Sequence, residues 1–147
     1  MSDEIKQRIT GLVAGFDARV KAASADSWGN TSPCEGWTAR DVVVHVADNL
    51  LRLGGGLQGT QLEPVSADED IVAAWDRARG SFAAGLDSGD LSTQLPGPMG
   101  PMTAADMIGR FVANDVLVHT WDLARATGGD EVLPAEICER AYSGLKP

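Results

Sequence analysis

Basic residues and aromatic rings are both scarce in this chain. Against 21 Asp and Glu stand only 12 Lys and Arg, a formal net charge of −9 over 147 residues. A nucleic-acid surface needs Lys and Arg to neutralise phosphates, so this balance argues against such a partner. The same charge is repelled by an anionic membrane. No apolar run approaches the ~20 residues that span a bilayer. The opening Met-Ser-Asp-Glu-Ile-Lys lacks the basic-then-apolar order of a secretory signal. Cysteine occurs twice, at Cys34 and Cys138, far apart and outside any CxxC pattern. Free thiols in a cytoplasmic protein are the expectation. Aromatics make up 5% of the chain, yet 4 of them are Trp. Histidine is equally rare, with 2 in all, His45 and His119.

What is present is helical spacing nearly everywhere. Ile5, Ile9, Leu12, Val13, Phe16 and Val20 follow a three-and-four rhythm that predicts a first helix over 3–23. Residues 24–37 gather Ser, Asp, Gly, Asn, Thr and Pro around two tryptophans and read as a loop. Three later starts share one device, a hydroxyl three residues before a carboxylate: Thr38–Asp41, Ser66–Glu69 and Thr103–Asp106. Each can form a reciprocal cap. They predict helices over 39–58, 67–87 and 104–127. Gly54, Gly55 and Gly56 should weaken the second helix late, before Gly59 ends it. Gly85 to Gly89 closes the third, and Gly128-Gly129 ends the fourth as a left-handed cap would. Pro134 suits the first turn of a short fifth helix over 134–144. The Leu95–Pro101 segment reads as a rigid turn-rich linker, not a strand. The expected fold is all-α, a four-helix bundle with a short C-terminal helix, forming a single domain over 1–147.

Each histidine sits in a polar notch of an apolar helix. On the fourth helix Asp115, His119 and Asp122 stand at i, i+4 and i+7 and share one face. The neighbours Met107, Ile108, Phe111, Val112, Val116, Leu117, Val118, Trp121 and Leu123 suggest burial on most sides. On the second helix His45, Asp48, Asn49 and Arg52 form a matching polar stripe. A buried carboxylate and imidazole need hydrogen bonds, each other or a metal. Two histidines and a carboxylate from facing helices would make a three-ligand metal site with open positions. The plainer alternative is an Asp115–His119 hydrogen-bonded pair and a His45 bonded to a carbonyl.

Two segments carry a resemblance. Trp28 with Thr31-Ser-Pro-Cys-Glu-Gly-Trp37-Thr-Ala-Arg-Asp41-Val-Val-Val-His45, and Asp115-Val-Leu-Val-His119-Thr-Trp-Asp-Leu-Ala-Arg-Ala-Thr-Gly128, resemble the mycothiol-dependent maleylpyruvate isomerase N-terminal family. That family belongs to the DinB-like metal-binding four-helix bundles. The resemblance covers roughly residues 3–145. It implies a divalent metal, zinc or nickel, held by His45, Asp115 and His119, with mycothiol as thiol cofactor. The family's acidic ligand is usually Glu, so Asp115 is a departure, and Asp122 and Asp48 stand as alternative carboxylates. The function implied is a thiol-dependent isomerase or S-transferase whose partners are a small thiol and an electrophile. The alternative is a non-catalytic metal-binding or interaction protein on the same bundle. Relatives commonly run longer, so the isomerase reaction itself does not follow.

Cys34 is expected to pack under the Gly36–Trp37 loop rather than serve as nucleophile. Trp37 and Trp121 are expected in the core at the bundle ends. Asp122 either pairs with Arg125 or supports a ligand histidine. The acidic helical surface is compatible with a homodimer.

Overall fold

A computed structural model describes residues 2–133 together with Ala135, Cys138 and Glu139. Its elements are α1 (Ser2–Ala22), α2 (Ala39–Gln58), α3 (Ile71–Ser88), β1 (Gln94–Leu95), β2 (Met102–Thr103), α4 (Ala104–Met107) and α5 (Ala113–Thr127). A π-helical turn, Ile108–Val112, joins α4 to α5, so residues 104–127 form one helical column. The four columns close a ring in which α2 packs on α3 and α5, and α1 packs on α5 and α3. This is the four-helix bundle the spacing predicts. Of the expected fifth helix, Ala135, Cys138 and Glu139 are helical. The rest of 134–144 lies outside the described residues.

The core follows the apolar rhythm. Ile9, Leu12, Val13, Phe16 and Val20 of α1 are buried against Val42, Val46 and Leu50 of α2 and Ile71, Trp75 and Phe82 of α3. The rings of Phe16 and Trp75 meet with centroids 4.7 Å apart. Trp75 is fully buried, and its indole N–H donates to Asp17 Oδ1 at 2.9 Å. The Gly54–Gly56 run has a packing reason. A Cβ on Gly54 would lie 2.8 Å from the Ser81 carbonyl oxygen of α3, and one on Gly56 would lie 2.8 Å from Leu95. The glycines let α3 and the β1 strand approach α2 closely. Gly59 ends α2 in the left-handed region at φ 71°.

Two starts match their caps. Thr38 forms the full reciprocal box with Asp41, and the Thr103 hydroxyl accepts from Asp106 N. The third does not. Ser66 and Glu69 bond each other within a turn, Ser66 N to Glu69 Oε1 at 3.3 Å and Glu69 N to Ser66 O at 3.2 Å. Helix α3 begins later, capped by Asp70, whose side chain accepts from Ala73 N. The Leu95–Pro101 linker is also more than a linker: its ends pair as an antiparallel ladder, Gln94 with Thr103 and Leu95 with Met102. No helix among the described residues is long and apolar enough to cross a membrane.

Candidate metal centre

Three elements deliver side chains to one end of the α2–α5 contact. Helix α2 presents His45 and, one turn on, Asn49. Helix α5 presents Asp115, His119 and Asp122 on one face, as their spacing requires. The loop between α1 and α2 brings Cys34 and Trp37. That loop is fixed by its own bonds: Ser32 Oγ donates to Trp37 O at 2.9 Å, Cys34 N donates to Ser32 Oγ at 3.1 Å, and Trp37 N donates to Cys34 O at 3.0 Å. Gly36, at φ 82°, makes the turn. Asn30 Nδ2 ties the loop to α5 through Ala126 O at 3.0 Å.

His45 Nε2 lies 3.1 Å from Asp115 Oδ1, and His119 Nε2 lies 3.2 Å from the same oxygen. The two imidazoles meet edge to face with centroids 4.8 Å apart, and Trp37 packs on both, at 5.0 Å from His45 and 5.9 Å from His119. On the far side of His119, Asp122 Oδ2 lies 2.9 Å from Nδ1. The thiol of Cys34 donates to that same Asp122 oxygen at 3.2 Å. Asn49 Nδ2 reaches Asp115 Oδ2 at 3.3 Å, and its carbonyl accepts from Arg52.

Burial disfavours a charged Asp115. The hydrogen bonds and charge of His119 and His45 outweigh it and hold the carboxyl well below the usual carboxylate range. For His119 burial pulls the other way from its partners, and Asp115, then Asp122, raise its pKa above the ordinary value. Cys34 is pushed up to about 11, first by burial and then by its bond to Asp122. A thiol so placed stays protonated near neutral pH and acts as a donor, not as a nucleophile.

The donors fit a metal. Nε2 of His45, Oδ1 of Asp115 and Nε2 of His119 all lie within 4.8 Å of one another. Ligand atoms ~2.0–2.1 Å from one tetrahedral zinc lie about 3.3 Å apart, close to the 3.1 and 3.2 Å found here. Cys34, His119 and Asp122 form a second such group, but it shares His119 and is already satisfied as a chain of hydrogen bonds from Cys34 and His119 onto Asp122. The three residues expected from the sequence are therefore brought together. Of the alternative carboxylates, Asp48 is engaged elsewhere, accepting from Val65 N at 2.8 Å, and Asp122 stands behind His119.

Other expectations need correction. Asp122 does not pair with Arg125, which bonds Glu131 at 3.3 Å. Cys34 is not merely packed under its loop; its thiol is part of the site. Trp37 is half-buried over the histidines. Trp121 is 38% exposed and stacks under Arg125, and Phe111 and Val118 are exposed too. The apolar run of α5 thus faces solvent on one side. Sequence reasoning gave Asn49 no function; its position one turn after His45 was the available signal. A cavity of about 460 Å³ opens beside Asp115, with Asn49 and Arg52 on its wall.

Comparison with known proteins identifies the family and the fold. Residues 10–124 match the family described as the mycothiol maleylpyruvate isomerase N-terminal domain. The chain belongs to this family. Two Mycobacterium tuberculosis proteins, uncharacterized protein MT0763 (strain CDC 1551 / Oshkosh) and uncharacterized protein Rv0738 (strain ATCC 25618 / H37Rv), are each 32% identical over 126 residues. The match covers 83% of this chain and 66% of each relative, so the chain spans just under two thirds of their length. Two solved structures share the fold. One is a histidine-to-alanine mutant of the mycothiol-dependent maleylpyruvate isomerase, with a TM-score of 0.76 at 15% identity. The other is the mycothiol-dependent maleylpyruvate isomerase, with a TM-score of 0.65 at 20% identity. In both cases 97% of this chain and 68% of the other are covered.

Proposed function

We propose that this single helical domain binds one divalent metal ion through His45, Asp115 and His119. We propose further that it uses the ion in mycothiol-dependent chemistry of the isomerase or S-transferase type. The observation that carries this reading is the convergence of two imidazole nitrogens on one carboxylate oxygen, at 3.1 and 3.2 Å, beside an open cavity. Two histidines, one carboxylate and an open position are the ligand pattern of catalytic zinc sites; zinc or nickel is the expected ion. Such an ion supplies the positive charge that keeps a thiol sulfur ionised near neutral pH.

The chain's own groups have separate tasks. His45, Asp115 and His119 hold the ion. Asp122 accepts from Nδ1–H of His119 and so leaves Nε2 as the ligating atom. Trp37 covers the two imidazoles and keeps water from that side. Asn49 steadies the free oxygen of Asp115. Beyond these residues the site holds the Cys34 thiol, bonded to Asp122, which leaves the nucleophile to a cofactor thiol and the other partner to a small electrophile.

The test is metal analysis of purified, tag-free protein by plasma mass spectrometry, with His45→Ala and His119→Ala alongside. The expected result is near one divalent ion per chain, lost in both variants, followed by mycothiol-dependent turnover of a conjugated electrophile. No ion after reconstitution with zinc or nickel overturns the reading. An ion without thiol-dependent turnover would leave a metal-binding protein without catalysis.

A further inference from the structure

Behind the His45–Asp115–His119 group lies a second and chemically unlike set of donors. Cys34 Sγ, His119 Nδ1 and Asp122 Oδ2 form a triangle. Its edges are 3.9 Å from sulfur to nitrogen, 3.2 Å from sulfur to oxygen and 2.9 Å from nitrogen to oxygen. Donors bound to one tetrahedral ion at ~2.0–2.3 Å lie about 3.3–3.6 Å apart, within the spread of these edges. Hydrogen bonds satisfy the triangle when it is empty, and those are the bonds an ion would replace. Cys34 and His119 each aim one proton at the same carboxylate oxygen.

The two sides of His119 differ in burial, charge and softness. The side chains of His119 and Asp122 are 12% and 6% exposed, against 32% and 28% for His45 and Asp115. An ion in the inner triangle sheds more of its water and depends more on the charge of its ligands. The triangle can supply that charge, because a thiolate and a carboxylate together neutralise a dication. The outer group offers a single carboxylate. Sulfur also selects: thiolate suits soft ions, whereas magnesium, calcium and manganese take oxygen donors. Cys34 is only part-buried, which leaves the sulfur side open to an entering ion.

We propose that Cys34, His119 and Asp122 form a second cation site, taking a thiophilic divalent ion such as cadmium and excluding an ion from the outer group. On binding, Cys34 releases its proton to water and its sulfur bonds the ion. The ion replaces the proton on His119 Nδ1, and the ring takes one up on Nε2 and stays neutral. Asp122 keeps its charge and changes from accepting two hydrogen bonds to ligating. In net terms one dication enters and one proton leaves. Nε2–H then faces Asp115 Oδ1 across 3.2 Å, where it donates and no longer ligates. The outer group is left with His45 and Asp115. One imidazole thus serves one ion at a time. The inner site stands apart from the metal reading above; only the exclusion rests on it.

The probe is cadmium ion added to the metal-free full chain, read by thiolate-to-cadmium charge-transfer absorption in the ultraviolet. Cys138→Ala is the parent, so that Cys34 is the one remaining thiol. The absorption is expected to saturate at one ion per chain. It should survive in His45→Ala, which breaks the outer group alone. It should vanish in Cys34→Ser, which keeps a donor to Asp122 and loses the sulfur. No charge transfer in the parent, or its loss in His45→Ala, overturns the site. The exclusion is read by dialysing nickel-loaded protein against cadmium. Cys34→Ser should hold its nickel to at least about tenfold more cadmium than the parent, the lower end of what losing one group around a metal costs. Equal nickel loss in the two overturns the exclusion. A chain that binds no nickel yet shows charge transfer without His45 loses the outer-metal reading and keeps this site. A nickel-loaded chain without charge transfer does the reverse.

Discussion

Replacing Asp122 by Asn tests whether the site is built for a metal or is only a cluster of buried hydrogen bonds. Asp122 is 5% exposed, and its Oδ2 lies 2.9 Å from His119 Nδ1 and 3.2 Å from Cys34 Sγ. As a carboxylate it can only accept, so it forces the proton onto Nδ1 and frees Nε2 for an ion. An amide in its place removes the charge and can turn its NH2 toward the ring, which would favour the opposite tautomer. Loss of such a supporting partner typically weakens metal binding by 10–100-fold, about 1.4–2.7 kcal/mol. The assay is competition with a chromophoric zinc chelator near neutral pH, with His119→Ala as the variant that loses binding outright. An affinity within twofold of wild type would refute the reasoning. A second readout needs no metal. His119 should titrate above its ordinary value of 6.5 in the metal-free protein, and Asp122→Asn should move it down, followed by NMR. A raised folded-state pKa contributes stability below the unfolded value and loses it as pH rises through the folded one. The metal-free wild type should therefore lose part of its stability as pH rises above 6.5 through the raised value, and the variant should lose less.

Three further outcomes follow from the packing and electrostatics. Gly54→Ala should destabilise by about 1–2 kcal/mol despite the gain in helix propensity, because its Cβ would lie 2.8 Å from backbone of α3 and overpacking commonly costs 1–3 kcal/mol; Gly80→Ala on α3, with nothing within 4 Å, should stabilise by up to ~1 kcal/mol, and equal signs in urea melts would count against the close-contact argument. The Cys34 thiol of metal-free protein should ionise near pH 11 by ultraviolet titration, and Asp122→Asn should lower that value; an ordinary thiol pKa in wild type would show that the bond to Asp122 does not persist in solution. Asp17→Ala should cost ~1–3 kcal/mol by orphaning the buried Trp75 N–H, while Asp17→Asn should cost less. Hydrogen bonds from Lys21 and Trp75 outweigh burial and lower the Asp17 pKa, so its contribution holds above the ordinary 3.8 and fades as pH falls below it, and acid titration of the two variants against wild type should show their deficits shrinking together.

The parts of the fold legible in the sequence are those set by local rules. The three-and-four rhythm places α1, α2 and the 104–127 column, and the Thr38 and Thr103 caps mark their helices because hydroxyl and carboxylate are adjacent to the first turn. The Ser66–Glu69 pair obeys the same local rule but closes a turn instead, and only Asp70, three residues before Ala73, reveals the true start. The β1–β2 ladder was illegible because strands of two residues have no period to detect. Trp121 was misplaced for a different reason: an apolar run on a helix does not say which of its faces meets the bundle. At the site, the i, i+4 relation of Asp115 and His119 was readable, and the motif resemblance pointed to His45. That Cys34 would reach Asp122 across 88 positions was not, since no spacing rule joins a loop to a helix so distant in sequence.

The π turn is where fold and site depend on each other. Ala113 N–H bonds Ile108 O, five residues back, so Ile108–Val112 carries one residue more than an α-helical turn would. Each residue of an α-helix advances the side-chain direction by about 100°. The extra residue therefore rotates α5 by that amount relative to α4. Upstream of it Ala104 is buried and downstream Val116, Leu117, Leu123 and Ala124 are buried; the turn itself packs on α1, and α5 packs on α1 and α2. In a continuous α-helix with α4 held in place, Asp115 and His119 would turn away from His45, and the 3.1 and 3.2 Å approaches to Asp115 Oδ1 could not both form. The apolar faces of the column and its polar stripe have different angular requirements, and one inserted residue satisfies both. Such π turns recur at functional sites in helices. Here the turn also supplies Phe111 to the cavity wall, so the irregularity that aims Asp115 and His119 at His45 is the same one that shapes the space beside them.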